Sequence, residues 1–86
     1  MLLSSKPTAQ SLNDYAWGLL TIEPAEYRDP TGALPLAERA VELSGRTDPG
    51  FLDTLALAYR MAGEVERSRQ TYEEILPLAF SGTMET

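Results

Sequence analysis

The side chains that most often perform acid–base or nucleophilic chemistry are scarce in this sequence. Histidine and cysteine are both absent, which removes the commonest general base, the commonest metal ligand and the thiolate nucleophile. Acidic residues do form two close pairs, Glu64 with Glu66 and Glu73 with Glu74. Carboxylates near a helix start or on a solvated helix face explain these pairs better than catalysis does. We therefore expect no catalytic centre and no enzyme.

Composition also restricts the partners. The chain has 86 residues, a net charge of −6 and a single lysine, Lys6. Nucleic acids and anionic membranes select clustered basic side chains, so we expect neither as a partner. The sequence lacks a glycine-rich phosphate loop and any metal-ligand spacing, so no cofactor is expected. Because no apolar run approaches the roughly 20 residues that span a bilayer, we expect a soluble protein, with the cytoplasm as the default location.

The stretch from Leu52 to Val65 is the clearest structural signal in the chain. Its apolar residues recur at the spacing of a buried helical face, at Leu52, Leu55, Ala56, Tyr59 and Ala62. Gly63 stands where a left-handed residue would end this helix, and Val65 restarts the apolar pattern. The stretch predicts a helix, a tight turn and the start of a second helix.

A first helix is expected to begin between Thr8 and Ser11, since either hydroxyl could cap it. Its predicted buried residues are Leu12, Tyr15, Ala16 and Leu19. Gly18 falls within this pattern and indicates close approach of another helix. A long loop, 21–32, should follow and be held by Tyr27 packing back onto the helices.

Asp29-Pro30 and Asp48-Pro49 repeat one helix-start signal, an N-cap followed by proline at the first helical position. The helix after Asp29 should bury Ala33, Leu36, Ala37, Ala40, Val41 and Leu43. The last helix should bury Val65, Ser68, Tyr72, Ile75 and Leu78. The expected fold is therefore all-α, with four antiparallel helices.

The two halves of the chain are related. One offset places Leu12 on Leu52 and Leu19 on Tyr59, and a shorter offset places Ala37 on Tyr72. The difference between the two offsets corresponds to an insertion in the loop of the first unit. A helical hairpin repeated in tandem is typical of an α-solenoid.

The second unit carries a large apolar residue, leucine, a small residue, tyrosine, glycine and further packing residues at fixed offsets. These are Leu52, Leu55, Ala56, Tyr59, Gly63, Ser68, Tyr72 and Ile75. The pattern resembles the tetratricopeptide repeat (TPR) family, and the first unit fits it except in the loop. The runs Asn13-Asp14-Tyr15-Ala16-Trp17, Arg28-Asp29-Pro30 and 37–43 look like a bacterial variety of this repeat.

The resemblance covers residues 11–79. It implies two TPR-like repeats, 11–44 and 49–79, which form an α-solenoid fragment within a domain spanning 9–79. A flexible lead-in, 1–8, and a flexible tail, 80–86, would flank this domain.

The resemblance also implies a concave groove lined by the first helix of each hairpin. The groove residues would be Asn13, Trp17, Leu20, Asp53, Leu57, Arg60 and Met61. Trp17 and Leu57 would then be partner-binding residues, or else they pack on neighbouring helices. Family members that grip a terminal carboxylate use lysine, asparagine and arginine, a set this chain lacks. Asp53 would repel such a peptide end.

Two functions remain open from the sequence. The first is a non-catalytic protein–protein interaction module that offers a groove or an end face to another protein or peptide. The second is a self-assembly element, because Tyr72, Leu76 and Ala79 on the last helix have no following hairpin to cover them. A homodimer through that helix would cover them.

Overall fold

The structure is a computed structural model that describes residues 6–80. This range contains four α-helices, one short 3₁₀ helix and no strand. The elements are α1 (Ala9–Thr21), the 3₁₀ helix (Ala25–Tyr27), α2 (Pro30–Leu43), α3 (Pro49–Met61) and α4 (Val65–Phe80). The all-α prediction is therefore confirmed for this range. Most of the predicted lead-in and tail, residues 1–5 and 81–86, lies outside the described residues.

Short polar side chains start the first three helices, as predicted. The Thr8 hydroxyl accepts the backbone N–H of Ser11 at 3.0 Å, and the Ser11 hydroxyl accepts that of Thr8 at 3.0 Å, which completes a capping box. Asp29 and Asp48 cap α2 and α3 through their carboxylates. Proline follows each aspartate at the first helical position, where a missing N–H leaves no donor unsatisfied.

Gly63 ends α3 in the left-handed conformation, with φ of +89°. The N–H of Glu64 reaches back to the carbonyl of Tyr59 at 2.8 Å, and the N–H of Gly63 reaches that of Arg60 at 3.1 Å. This pair of bonds is a Schellman motif. It turns the chain so that α4 can pack on α3, and the predicted turn is confirmed.

The helices pack in chain order, α1 on α2, α2 on α3 and α3 on α4, with a smaller contact between α1 and α3. The Ser68 hydroxyl of α4 donates to the carbonyl of Ala56 on α3 at 2.8 Å, and Arg67 lies over the Tyr59 ring. Earlier α4 residues therefore meet later α3 residues, so these two helices are antiparallel. Buried alanines let the helices approach closely, and the core comprises Ala16, Leu20, Ala33, Ala37, Ala40, Val41, Phe51, Leu52, Leu55 and Ala58.

Several residues expected in the core lie at the surface. Tyr15 is 63% exposed, Leu43 is 47% exposed and Val65 is 67% exposed, whereas Leu20 is 1% exposed. The aligned residue Leu55 is buried because α3 contacts three other helices, whereas α1 packs extensively on α2 and only slightly on α3. The buried face of α1 is therefore rotated toward Leu20 and away from Tyr15.

Two further expectations for this region are wrong. Gly18 is exposed, and a Cβ added to it would meet nothing within 4 Å, so it does not mediate close helix packing. Tyr27 is also exposed and does not hold the loop. The loop is held instead by the N–H of Asp29, which donates to the carbonyl of Leu19 at 2.9 Å, and by Arg28, which donates to the carbonyl of Ile22 at 2.9 Å.

A long-range ion pair fixes the connection between α2 and α3. Arg46 donates to both carboxylate oxygens of Glu74 on α4, at 2.9 and 2.7 Å. These hydrogen bonds raise the pKa of Arg46 further above its ordinary value. The pair ties the 44–48 turn to the last helix.

Candidate functional site

An open cleft lies between the end of α1, the loop that follows it and the end of α3. We call it the α1–α3 cleft. It encloses about 560 Å³, a volume in the range of ligand-binding sites. Its lining residues are Leu20, Thr21, Glu23, Arg28, Leu57, Arg60 and Met61.

Four of the seven sequence-predicted groove residues line this cleft: Leu20, Leu57, Arg60 and Met61. The prediction that Leu20 lies off the buried face of α1 is wrong, since Leu20 belongs to the core. Its side chain is part of the core and also forms an apolar part of the cleft wall. Leu57 and Met61 are one helical turn apart on α3 and half-buried, so they present apolar surface to the same opening.

The other three predicted residues lie outside the lining. Trp17 is exposed on α1, one turn before Leu20 and Thr21. Asp53 is exposed on α3, one turn before Leu57. Asn13 is half-buried, two turns before Leu20 on α1.

The amide oxygen of Asn13 has an unusual environment. Its Oδ1 is shielded from solvent and has no hydrogen-bond donor within the described part of the chain. Most buried polar side-chain atoms in proteins have a hydrogen-bond partner. Asn13 therefore carries an energetic cost in the folded state.

Sequence reasoning missed the contribution of the loop. Glu23 and Arg28 line the cleft together with Thr21 at the end of α1. Arg28 forms an ion pair with Glu23 at 2.5 Å and also donates to the carbonyl of Ile22. The loop has no apolar periodicity, so its path over the end of α1 could not be read from spacing.

The two arginines that line the cleft differ in whether their guanidinium groups are already in ion pairs. Arg28 is neutralised by Glu23, whereas Arg60 is exposed and makes no ion pair with any residue in the range 6–80. Arg60 thus offers a guanidinium beside the apolar surface of Leu57 and Met61. This arrangement can hold an apolar side chain and a hydrogen-bond acceptor at the same time.

A second concave surface runs along the outer side of α4, and we call it the α4 face. It encloses about 460 Å³. Its lining residues are Arg60, Val65, Ser68, Arg69, Tyr72, Glu73 and Leu76. Arg60 lies at the border of both surfaces, while the other residues of the α4 face are separate from the cleft.

Tyr59 on α3 makes a further polar contact, a hydrogen bond to Glu38 on α2. Burial raises the pKa of Tyr59, and its hydrogen bond to Glu38 adds to that rise.

In the range 6–80 no group of three or more acidic side chains is placed to hold a metal ion. None of the helices in that range has the length and apolar character needed to cross a bilayer.

Comparison of the chain with protein-family models, with curated proteins and with solved structures found no match. The candidate site is therefore defined by its own geometry. That geometry consists of a cleft lined by apolar and charged side chains, the Arg60 guanidinium at its edge, which makes no ion pair within residues 6–80, and a separate apolar face on α4.

Proposed function

We propose that this chain is a non-catalytic protein-interaction module of the TPR type, which binds a segment of another protein in the α1–α3 cleft. The observation that carries the proposal is the convergence of Leu57, Met61 and Arg60 on one open cleft. Apolar anchors beside an arginine are typical of the centre of a protein interface.

The packing order of the helices supports the TPR-type arrangement. Each helix packs on the next, and α1 also contacts α3. In a tandem repeat of helical hairpins, the first helix of each unit lies beside the first helix of the next. The α1–α3 contact is therefore the one expected to form an inner surface, and the cleft lies at this contact.

The lining residues also restrict the ligand. Leu57 and Met61 suit an apolar side chain, and Arg60 suits a carbonyl or a side-chain carboxylate next to it. Asp53 is exposed one turn away on α3 and disfavours a terminal carboxylate there. The preferred ligand is then an internal peptide segment with an apolar residue followed by an acceptor.

A peptide-display selection against the whole chain tests this function. Trp17 is the only tryptophan, and it lies near the cleft, so its fluorescence can report binding of the selected peptides. We expect Met61→Glu to weaken binding strongly, because it places a carboxylate in the apolar part of the cleft. The matched control is Leu43→Glu, a charge introduced at an exposed leucine that lines neither surface.

Circular dichroism establishes that both variants keep their helical content before binding is compared. Binding that is lost in Met61→Glu and kept in Leu43→Glu supports the proposal. A selection that yields no binder, or binders that the two variants hold equally well, would overturn it.

A further inference from the structure

The last helix exposes a row of large side chains that no described residue covers. Val65 is 67% exposed and Leu76 is 53% exposed, and Tyr72 between them is 38% exposed. Together with Arg69 they line the α4 face. Exposed apolar surface of this kind, rimmed by charged residues, is typical of an interaction site.

The order of these side chains is symmetrical under reversal. Val65, Arg69, Tyr72 and Leu76 stand at positions i, i+4, i+7 and i+11 of one helix. When a second α4 lies antiparallel, the same spacing read backwards places Leu76 of the second copy opposite Val65. It also places Tyr72 of the second copy opposite Arg69. Each apolar end then meets an apolar end, and each guanidinium meets an aromatic ring.

The charges on this face also favour a second copy. The whole chain has a net charge of −6, so two copies repel each other overall. On the α4 face, Arg69 pairs with both Glu73 and the adjacent Glu66, and Arg60 supplies the second positive charge that balances them. This face is therefore locally neutral and can approach its own copy without like-charge repulsion.

We propose that the α4 face binds the α4 face of a second copy of this chain, forming a two-fold symmetric, antiparallel dimer. Val65 packs against Leu76 of the second copy, and Arg69 lies against its Tyr72. The two-fold axis passes between Arg69 and Tyr72. This assembly shares only Arg60 with the lining of the cleft, and it leaves the rest of both clefts open for another protein.

Cross-linking tests the predicted pairing directly, because the chain has no native cysteine. We expect a mixture of Val65→Cys and Leu76→Cys chains to form a disulfide-linked dimer under mild oxidation. Each variant alone should cross-link poorly, since identical positions lie about 16 Å apart along antiparallel helices at 1.5 Å per residue. A mixture of Val65→Cys and Leu43→Cys chains is the control for random collision.

The mass in solution provides the second readout. Sedimentation equilibrium should show a dimer for the unmodified chain at micromolar concentration. Leu76→Glu should raise the dimer dissociation constant by about two orders of magnitude, since symmetry buries the new charge twice. Leu43→Glu adds the same charge at a leucine of similar exposure and should leave the dimer intact.

Three results would overturn the proposal. The first is a monomer at all concentrations measured. The second is equal dissociation by Leu76→Glu and Leu43→Glu. The third is cross-linking of Leu76→Cys to Tyr15→Cys on α1 in place of Val65→Cys, which would indicate head-to-tail assembly. Met61→Glu separates this proposal from the cleft, because it should abolish peptide binding and leave the dimer unchanged.

Discussion

The phenolic hydroxyl group of Tyr59 on α3 donates a hydrogen bond of 2.9 Å to a carboxylate oxygen of Glu38 on α2. The other side of the same residue faces α4, where the Arg67 guanidinium lies 5.9 Å from the centre of the tyrosine ring. Tyr59 therefore connects three helices with one side chain. It lies at the end of α3 that also carries Arg60 and Met61 of the cleft, so its contacts position the binding surface.

Replacing Tyr59 with phenylalanine should lower the free energy of unfolding by about 1–2 kcal/mol, because a hydrogen bond to a charged acceptor is lost. Urea denaturation at neutral pH measures the change. The double variant with Glu38→Gln should be less destabilised than the sum of the two single variants, since both remove the same contact. Additive losses would show that the bond contributes nothing to stability.

The same phenol predicts a loss of stability in alkaline solution. Burial, together with the hydrogen bond to Glu38, raises the pKa of Tyr59 in the folded chain. The unfolded chain then releases the phenolic proton first, at its ordinary pKa of about 10. Stability should fall as the pH rises from there through the folded-state pKa.

Thermal unfolding monitored by circular dichroism across this range checks the effect. Tyr59→Phe should have a smaller alkaline slope than the unmodified chain. The control, Tyr27→Phe, removes an exposed phenol and should keep the slope. Identical slopes in all three proteins would contradict the prediction.

Two glycines should respond in opposite directions to alanine. Gly18 is exposed within α1 and has open space around it, so Gly18→Ala should raise stability by about 1 kcal/mol through helix propensity. Gly63 holds a φ of +89°, and Gly63→Ala should lower stability by about 1–2 kcal/mol because L-residues avoid that conformation. Urea denaturation of both variants measures the difference, and changes of the same sign would be inconsistent with these turn and helix assignments.

Substitutions on the buried and exposed faces of α1 should differ in their effect on stability. Leu20→Ala should lower stability by about 2–5 kcal/mol, since it removes a fully buried leucine side chain. Tyr15→Ala should change it by only about 0.5 kcal/mol, as expected for an exposed residue. Chemical denaturation measures the free energy of unfolding of both variants. A large decrease in Tyr15→Ala would contradict the exposed position of Tyr15 and indicate that it is buried like Leu55.

The sequence predicted those features whose causes are local. A hydroxyl at Thr8, a carboxylate at Asp48 and a glycine at Gly63 act on neighbouring backbone groups, so their effects are visible in a few residues. The buried face of α3 was also predictable, because Leu52, Leu55 and Ala56 recur at helical spacing and this face packs between α2 and α4.

Features that depend on distant neighbours were not predictable in the same way. Tyr15 and Leu20 lie on opposite flanks of the α1 apolar pattern, and only the positions of α2 and α3 decide which flank is covered. In the cleft, Leu57 and Met61 were expected from the resemblance to a helical repeat, which implied a groove along α3. Arg28 did not, because an aperiodic loop carries it.

Asn13 provides the last prediction. Its Oδ1 is shielded from solvent without a hydrogen-bond donor in the range 6–80, and such an acceptor costs about 1–3 kcal/mol. Asn13→Leu has a similar size and removes this atom, so it should raise the free energy of unfolding by about 1 kcal/mol. Asn13→Asp keeps the shape and adds a poorly solvated charge, so it should lower stability. Urea denaturation of the pair decides the matter: if Asn13→Leu is the less stable variant, the amide contributes favourably to the contact between α1 and its neighbours.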